Sequence, residues 1–141
     1  MVWQLDPKIA ADTYHVIDYP GLVILLMDDQ RYPWFIIVPK KDKVKELIDL
    51  NEDEKKQIYR CIDLISNFLK LKYIDATINV AKIGNIVKQL HIHILARNEN
   101  DLTWPNPVWG IGQPQKYKKN DAKILVEELK QYFTENYPHK D

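Results

Sequence analysis

The chain has 141 residues, 45% of them hydrophobic and 28% charged, which suffices for one domain with a real core. Twenty acidic side chains balance twenty basic ones, so no global field draws it to nucleic acid or to an anionic membrane. The single Cys61 forms no internal disulfide, MVWQLDPK carries no signal-peptide pattern, and no apolar run nears the roughly 20 residues of a membrane span; a cytoplasmic protein is expected.

In chain order, Asp6-Pro7 suits a helix start, with Asp6 as cap and a short helix over 7–12. YHVID (14–18) alternates and meets the turn signal Pro20-Gly21. LVILLMDD (22–29) reads as a buried strand, and RYPWFIIVPKK (31–41) as its hairpin partner, with Pro33 and Pro39 at the edges. A long helix spans 51–71: Ile58, Ile62, Ile65 and Leu69 form one stripe, and Asn51 with Glu54 has the form of a capping box. ATINVAKI (76–83) alternates as a strand, Gly84-Asn85 supplies a turn, and QLHIHILA (89–96) returns as a strand. An irregular Pro- and Trp-rich stretch (98–117) precedes a final amphipathic helix at about 121–136. Tight turns between adjacent strands predict an antiparallel sheet with helices packed on one side, an α+β domain.

The stretch VKQLHIHILAR carries the chemistry. On a strand, Leu90, Ile92 and Ile94 point to the core, while Gln89, His91 and His93 share the other face as a polar row. Three readings of that row are open. It is an ordinary solvated face; or His91 and His93 hold zinc, although third ligands are scarce, with His15 on another strand, His139 near the end and Cys61 on the buried helix stripe; or one histidine is a nucleophile whose neighbours bind an anionic group.

The chain resembles the histidine triad (HIT) superfamily, nucleotide hydrolases and transferases bearing His-x-His-x-His. The resemblance rests on "RYPWFIIVPKK", "NVAKIGNIVKQLHIHILAR" and "WPNPVWG" in the right order, over about residues 5–110. Those blocks are similar to a bacterial, diadenosine tetraphosphate hydrolase-like branch. The implied fold is a HIT-like α+β domain spanning 1–141: an antiparallel sheet of about five strands, a long helix on one side, and short N- and C-terminal helices. Residues 111–141 form its C-terminal loop and helix.

The resemblance also implies roles. His91 matches the nucleophile that attacks the α-phosphorus and is transiently nucleotidylated. His93 matches the last triad histidine, which contacts phosphate oxygens and helps offset charge. Gln89 stands at the first triad position. Gly84 and Asn85 fall on the phosphate side, Asn79 is a further polar contact in the same pocket, and Arg97 is a candidate to reach a phosphate. A neutral imidazole is a good nucleophile near pH 7, and positioned donors then do most of the work of phosphoryl-type transfer. No cofactor is required, a divalent metal entering only with the substrate. The implied partners are a small-molecule nucleotide and a second copy of the chain, with sheets extended or long helices packed together.

The chain departs from the family at three positions. Gln89 cannot shuttle a proton, a contribution of roughly 10²–10⁴-fold where it operates. Trp34 lies where the family has Pro-Gly-His and is read as a packed aromatic, with a wall stacking on the nucleotide base as the functional alternative. Ile86 replaces a small hydroxyl residue. Trp104 and Trp109 cap the pocket, complete a dimer seam or fill the core, and KYKK (116–119) reads as a solvated linker. The leading expectation is an enzyme acting at the α-phosphate of a (di)nucleoside polyphosphate or nucleoside phosphoramidate. The alternatives are a nucleotide-binding regulatory module with little turnover and a zinc-binding β-protein.

Overall fold

A computed structural model describes residues 2–137; His139, weighed above as a zinc ligand, lies outside them. The Asp6 carboxylate accepts from the amides of Lys8 and Ile9 at 2.8 and 3.4 Å, and Pro7 opens helix α1 (Pro7–Asp12) where its missing N–H costs nothing. Strand β1 (Thr13–Tyr19) turns at Pro20-Gly21, with Gly21 at φ +84°, into β2 (Leu22–Met27), and β3 (Trp34–Pro39) follows. Helix α2 (Glu52–Lys72) has the reciprocal cap expected: Asn51 Oδ1 accepts from the Glu54 amide at 2.9 Å, and the Asn51 amide donates to Glu54 Oε1 at 2.8 Å. Strands β4 (Thr77–Lys82) and β5 (Ile92–Arg97) complete one antiparallel sheet in the order β1-β2-β3-β5-β4, and helix α3 (Lys119–Asn136) closes the chain. The fold is α+β, with a five-stranded antiparallel sheet under a long helix, as expected. Among the described residues no helix is long and apolar enough to cross a membrane.

Strands β2 and β3 are buried on both faces, which a continuous apolar run permits only when both faces are covered. On one side Ile24, Phe35, Ile37 and Ile94 meet Cys61, Ile65 and Leu69 of α2 and Leu129 and Phe133 of α3. On the other, Val23, Leu25, Trp34, Ile36 and Leu95 lie beneath Ile9 of α1 and Val108. The histidine face is therefore roofed, because α1 and the segment bearing Val108 and Trp109 fold over it.

The turn before the histidines also differs from expectation. Nine residues, 83–91, connect β4 to β5, with Gly84 at φ +72°. Gln89 does not lie on the strand, and only His93 of the polar row joins the ladder, opposite Ile36 and Ala81. The reason is local bonding: the Leu90 amide donates to Val44 O at 3.0 Å, and Gln89 is bonded elsewhere. KYKK is likewise not all solvated linker, since Tyr117 packs on the main core and its amide donates to Asp28 at 2.8 Å.

Candidate active site

His91 stands at the entrance to β5, half-buried, with Nδ1 2.7 Å from the Gln89 carbonyl oxygen. A carbonyl only accepts, so Nδ1 carries the hydrogen, and the neutral ring presents its lone pair at Nε2. His93, two residues on, is built the other way. The Trp34 indole Nε1 sits 3.0 Å from His93 Nδ1. An indole N–H only donates, so Nδ1 accepts and the neutral ring carries its hydrogen at Nε2. Burial, with His91 beside it, pushes the His93 imidazole down to about 3. His93 is therefore a neutral donor over the physiological range, a correction to the expectation that it offsets charge. The two rings lie 4.9 Å apart at 75°.

Two indoles hold His93. Trp34 is 7% exposed and Trp109 packs edge-on to it, with centroids 6.0 Å apart at 88°. Trp109 also meets the His93 ring at 5.3 Å. Trp34 is thus more than a packed filler: its polar atom is spent on His93, and its ring forms part of the lining of a cleft. Among the described residues the Nε1 atoms of Trp3 and Trp109 are the sealed side-chain polar atoms without partners. His93 Nε2 bonds to no described group and is not among the sealed atoms.

Gln89 is committed to the N-terminal segment. Its Oε1 accepts from the Asp6 amide at 2.8 Å, and its Nε2 donates to Gln4 O at 2.9 Å. This side chain ties residues 4–6 beside the histidines and retains one amide hydrogen for other use. Asn85 and Ile86 are exposed on the connecting loop. Gly84 is half-buried there, and a Cβ on it would come 3.2 Å from Lys82 Nζ.

Arg97 and Asn79 belong to a different cluster. Arg97 is 2% exposed and donates to Asp101 (2.7 and 3.0 Å), to Thr103 Oγ1 (3.1 Å) and to Asn79 Oδ1 (3.1 Å), between the rings of Tyr32 and Trp104. A guanidinium buried this deeply must be paired within the protein, so Arg97 is not placed to receive a phosphate, and the Asn79 carbonyl oxygen is spent on it. The Asp101 carboxyl is pulled both ways. Burial raises it, yet Arg97 and the amides of Asn98 and Thr103 prevail and hold it below the usual carboxylate range.

A cleft of about 600 Å³ is lined in part by Trp34 and Trp109, the two indoles packed on His93, with Asp12 of α1, Met27, Ile86 and Arg31; His91 and His93 are not in its lining. Asp29 anchors its far wall. Its carboxylate takes Arg31 Nη2 at 2.8 Å and the Gln115 amide at 3.3 Å, while Arg31 reaches Ile111 O at 3.1 Å. Sequence reading missed Asp29 and Arg31; "DDQR" at the turn was the available signal, but its partners lie some 80 residues away. Among the described residues no three His, Cys, Asp or Glu side chains gather as a metal site. Cys61 is fully buried, its thiol pushed up to about 12 by burial.

The HIT domain model matches residues 9–100. The chain belongs to the HIT domain family. A histidine triad protein from Bradyrhizobium japonicum superposes with a TM-score of 0.89 at 34% identity, covering 94% of this chain and 98% of that one. A histidine triad protein from Marinobacter aquaeolei VT8 gives a TM-score of 0.90 at 29% identity, covering 96% and 98%. The bis(5'-adenosyl)-triphosphatase of Saccharomyces cerevisiae is 36% identical over 78 residues, 49% of this chain. That match spans only 38% of the yeast protein's length.

Proposed function

We propose that this HIT-family chain is a nucleotide-binding hydrolase or transferase that acts at the α-phosphate of a (di)nucleoside polyphosphate or nucleoside phosphoramidate. The observation that carries the reading is the His91 contact with the Gln89 carbonyl, which leaves the Nε2 lone pair free beside a neutral donor at His93. The yeast triphosphatase relative supports the substrate class. In the first step His91 Nε2 forms a bond to phosphorus, and the bond to the leaving oxygen or nitrogen breaks with its electron pair. The leaving group takes a proton from solvent, since Gln89 cannot relay one. Water then attacks phosphorus and gives up a proton to solvent, the P–N bond breaks with its electron pair returning to Nε2, and a nucleoside monophosphate departs. Donors from His93 and Asn85 suffice for the phosphate oxygens; a divalent ion accompanies the substrate where it carries several phosphates.

Incubation with an adenylyl donor labelled at the α-phosphate, followed by alkaline quench and peptide mapping, should find the label on His91. His91→Ala should abolish the adduct and lower turnover by at least about 10³-fold, as for loss of an activated nucleophile. Normal nucleotide affinity without any adduct would instead support the second reading, a regulatory binding module, which the engagement of Gln89 with residues 4–6 favours.

The same reading includes a homodimer. Strand β4 is an unpaired edge of the sheet with Val80 48% exposed, a surface suited to a second copy. A monomeric mass by light scattering at assay concentration would overturn it. The buried, reduced Cys61 fits a cytoplasmic setting.

A further inference from the structure

We propose that Trp34 is a positioning residue: its indole N–H fixes His93 in the Nε2–H tautomer, so that His93 meets the substrate's phosphate as a donor. Three observations support this. The Trp34 Nε1 to His93 Nδ1 distance is 3.0 Å, and only one of these atoms can be the donor. Trp34 sits in β3 beside the strand that carries His93, with Trp34 opposite Leu95 and Ile36 opposite His93, so two ladder rungs fix the approach of the rings. The indole is 7% exposed and has Trp109 edge-on against it, so no water competes for the bond and the ring has little room to turn.

The consequence is specific. A neutral imidazole has one donor and one acceptor, and reversing them would aim a lone pair at a phosphate oxygen. His93 is buried and stays neutral, so it cannot protonate to escape that repulsion. In this chain the pair of histidines works because each ring is tied at Nδ1 by an opposite kind of partner. A carbonyl holds His91 with its Nε2 bare, and an indole holds His93 with its Nε2 protonated. Trp34 acts on the reaction through His93.

The inference rests on the nucleotidyl-transfer reading only in its kinetic arm; its spectroscopic arm stands alone. Long-range ¹H–¹⁵N NMR of the ¹⁵N-histidine protein at pH 7 should show His93 protonated at Nε2. The Nδ1–H form in the unaltered protein would overturn the proposal, whether or not the protein is an enzyme. Trp34→Phe keeps an aromatic ring without the donor and should shift the His93 signals toward the Nδ1–H form. In the adenylyl-transfer assay the same variant should lose roughly 10- to 100-fold in kcat, the scale seen when an imidazole loses its orienting partner, with KM changed less than about threefold. Trp34→His, which can offer a ring N–H at similar reach, should restore the Nε2–H form and most of kcat. A Trp34→Phe protein whose His93 keeps its tautomer and whose kcat is unchanged would overturn the assignment. So would a loss confined to KM, or one that Trp34→His leaves in place although the variant melts at the same temperature as the unaltered protein.

Discussion

His91 and His93 differ by two positions in sequence and, in chemistry, by the place of one hydrogen, and their neighbours decide which nitrogen carries it. The same accounting, applied to Arg97, separates a pocket residue from a structural one. Its guanidinium spends four of its five N–H donors on Asp101, Asn79 and Thr103 and, at 2% exposure, is enclosed against Tyr32 and Trp104. Arg97→Met would leave the buried Asp101 carboxylate uncompensated, which costs about 3–5 kcal/mol. Urea unfolding should read that loss, and adding Asp101→Asn should recover part of it. Nucleotide affinity of the folded variant should be unchanged. Lower affinity at undiminished stability would return Arg97 to the phosphate site.

Among the elements, those legible in the sequence are the ones held by local rules. Helix α2 declares itself through Asn51, Glu54 and the Ile58–Ile65–Leu69 stripe, and the β2–β3 pair through its apolar runs and flanking prolines. The His93 side of β5 was legible as a face by alternation. What it packs against was not, because Trp34 lies 59 residues away and Trp109 follows an irregular stretch. The start of β5 was misjudged for a related reason. Gln89 alternates correctly with His91, yet its amide bonds to backbone 83 and 85 positions distant and is drawn off the strand. That clamp makes the N-terminal segment part of the site's rim. One of its two hydrogen bonds is partly buried and the other exposed, and such bonds contribute about 0.5–1.5 kcal/mol each at most. Gln89→Ala should therefore release residues 2–6, lowering hydrogen-exchange protection of the Asp6 amide by about 10-fold or more while α2 keeps its protection. Unchanged protection at Asp6 would show that Trp3, Leu5 and the α1 cap hold the segment without Gln89.

At the scale of the whole molecule, a sheet buried on both faces places its functional histidine inside one of two cores, and this links catalysis to acid stability. Burying His93 as a neutral ring, held at about 3 against 6.5 for a free imidazole, means that between those pH values the unfolded chain binds the extra proton. Stability attributable to this group therefore rises with pH through that window and falls as pH drops below about 6.5. The slope approaches 1.4 kcal/mol per pH unit for one proton. Glu54 and Asp101 act lower down. The Asn51 amide with Lys41 holds Glu54 below its usual 4.5, and at Asp101 Arg97 overcomes the opposing effect of burial to hold it below 3.8. Depressed carboxylates contribute stability above those values and lose it as pH falls further, so they leave pH 5–6.5 to the histidine. Urea unfolding at pH 7, 6.5, 6, 5.5 and 5 should show stability declining before the carboxylates titrate, and His93→Gln should flatten that decline. Parallel slopes for the two proteins would mean that His93 accepts its proton inside the folded core, and that Trp34 does not bind it in the neutral form.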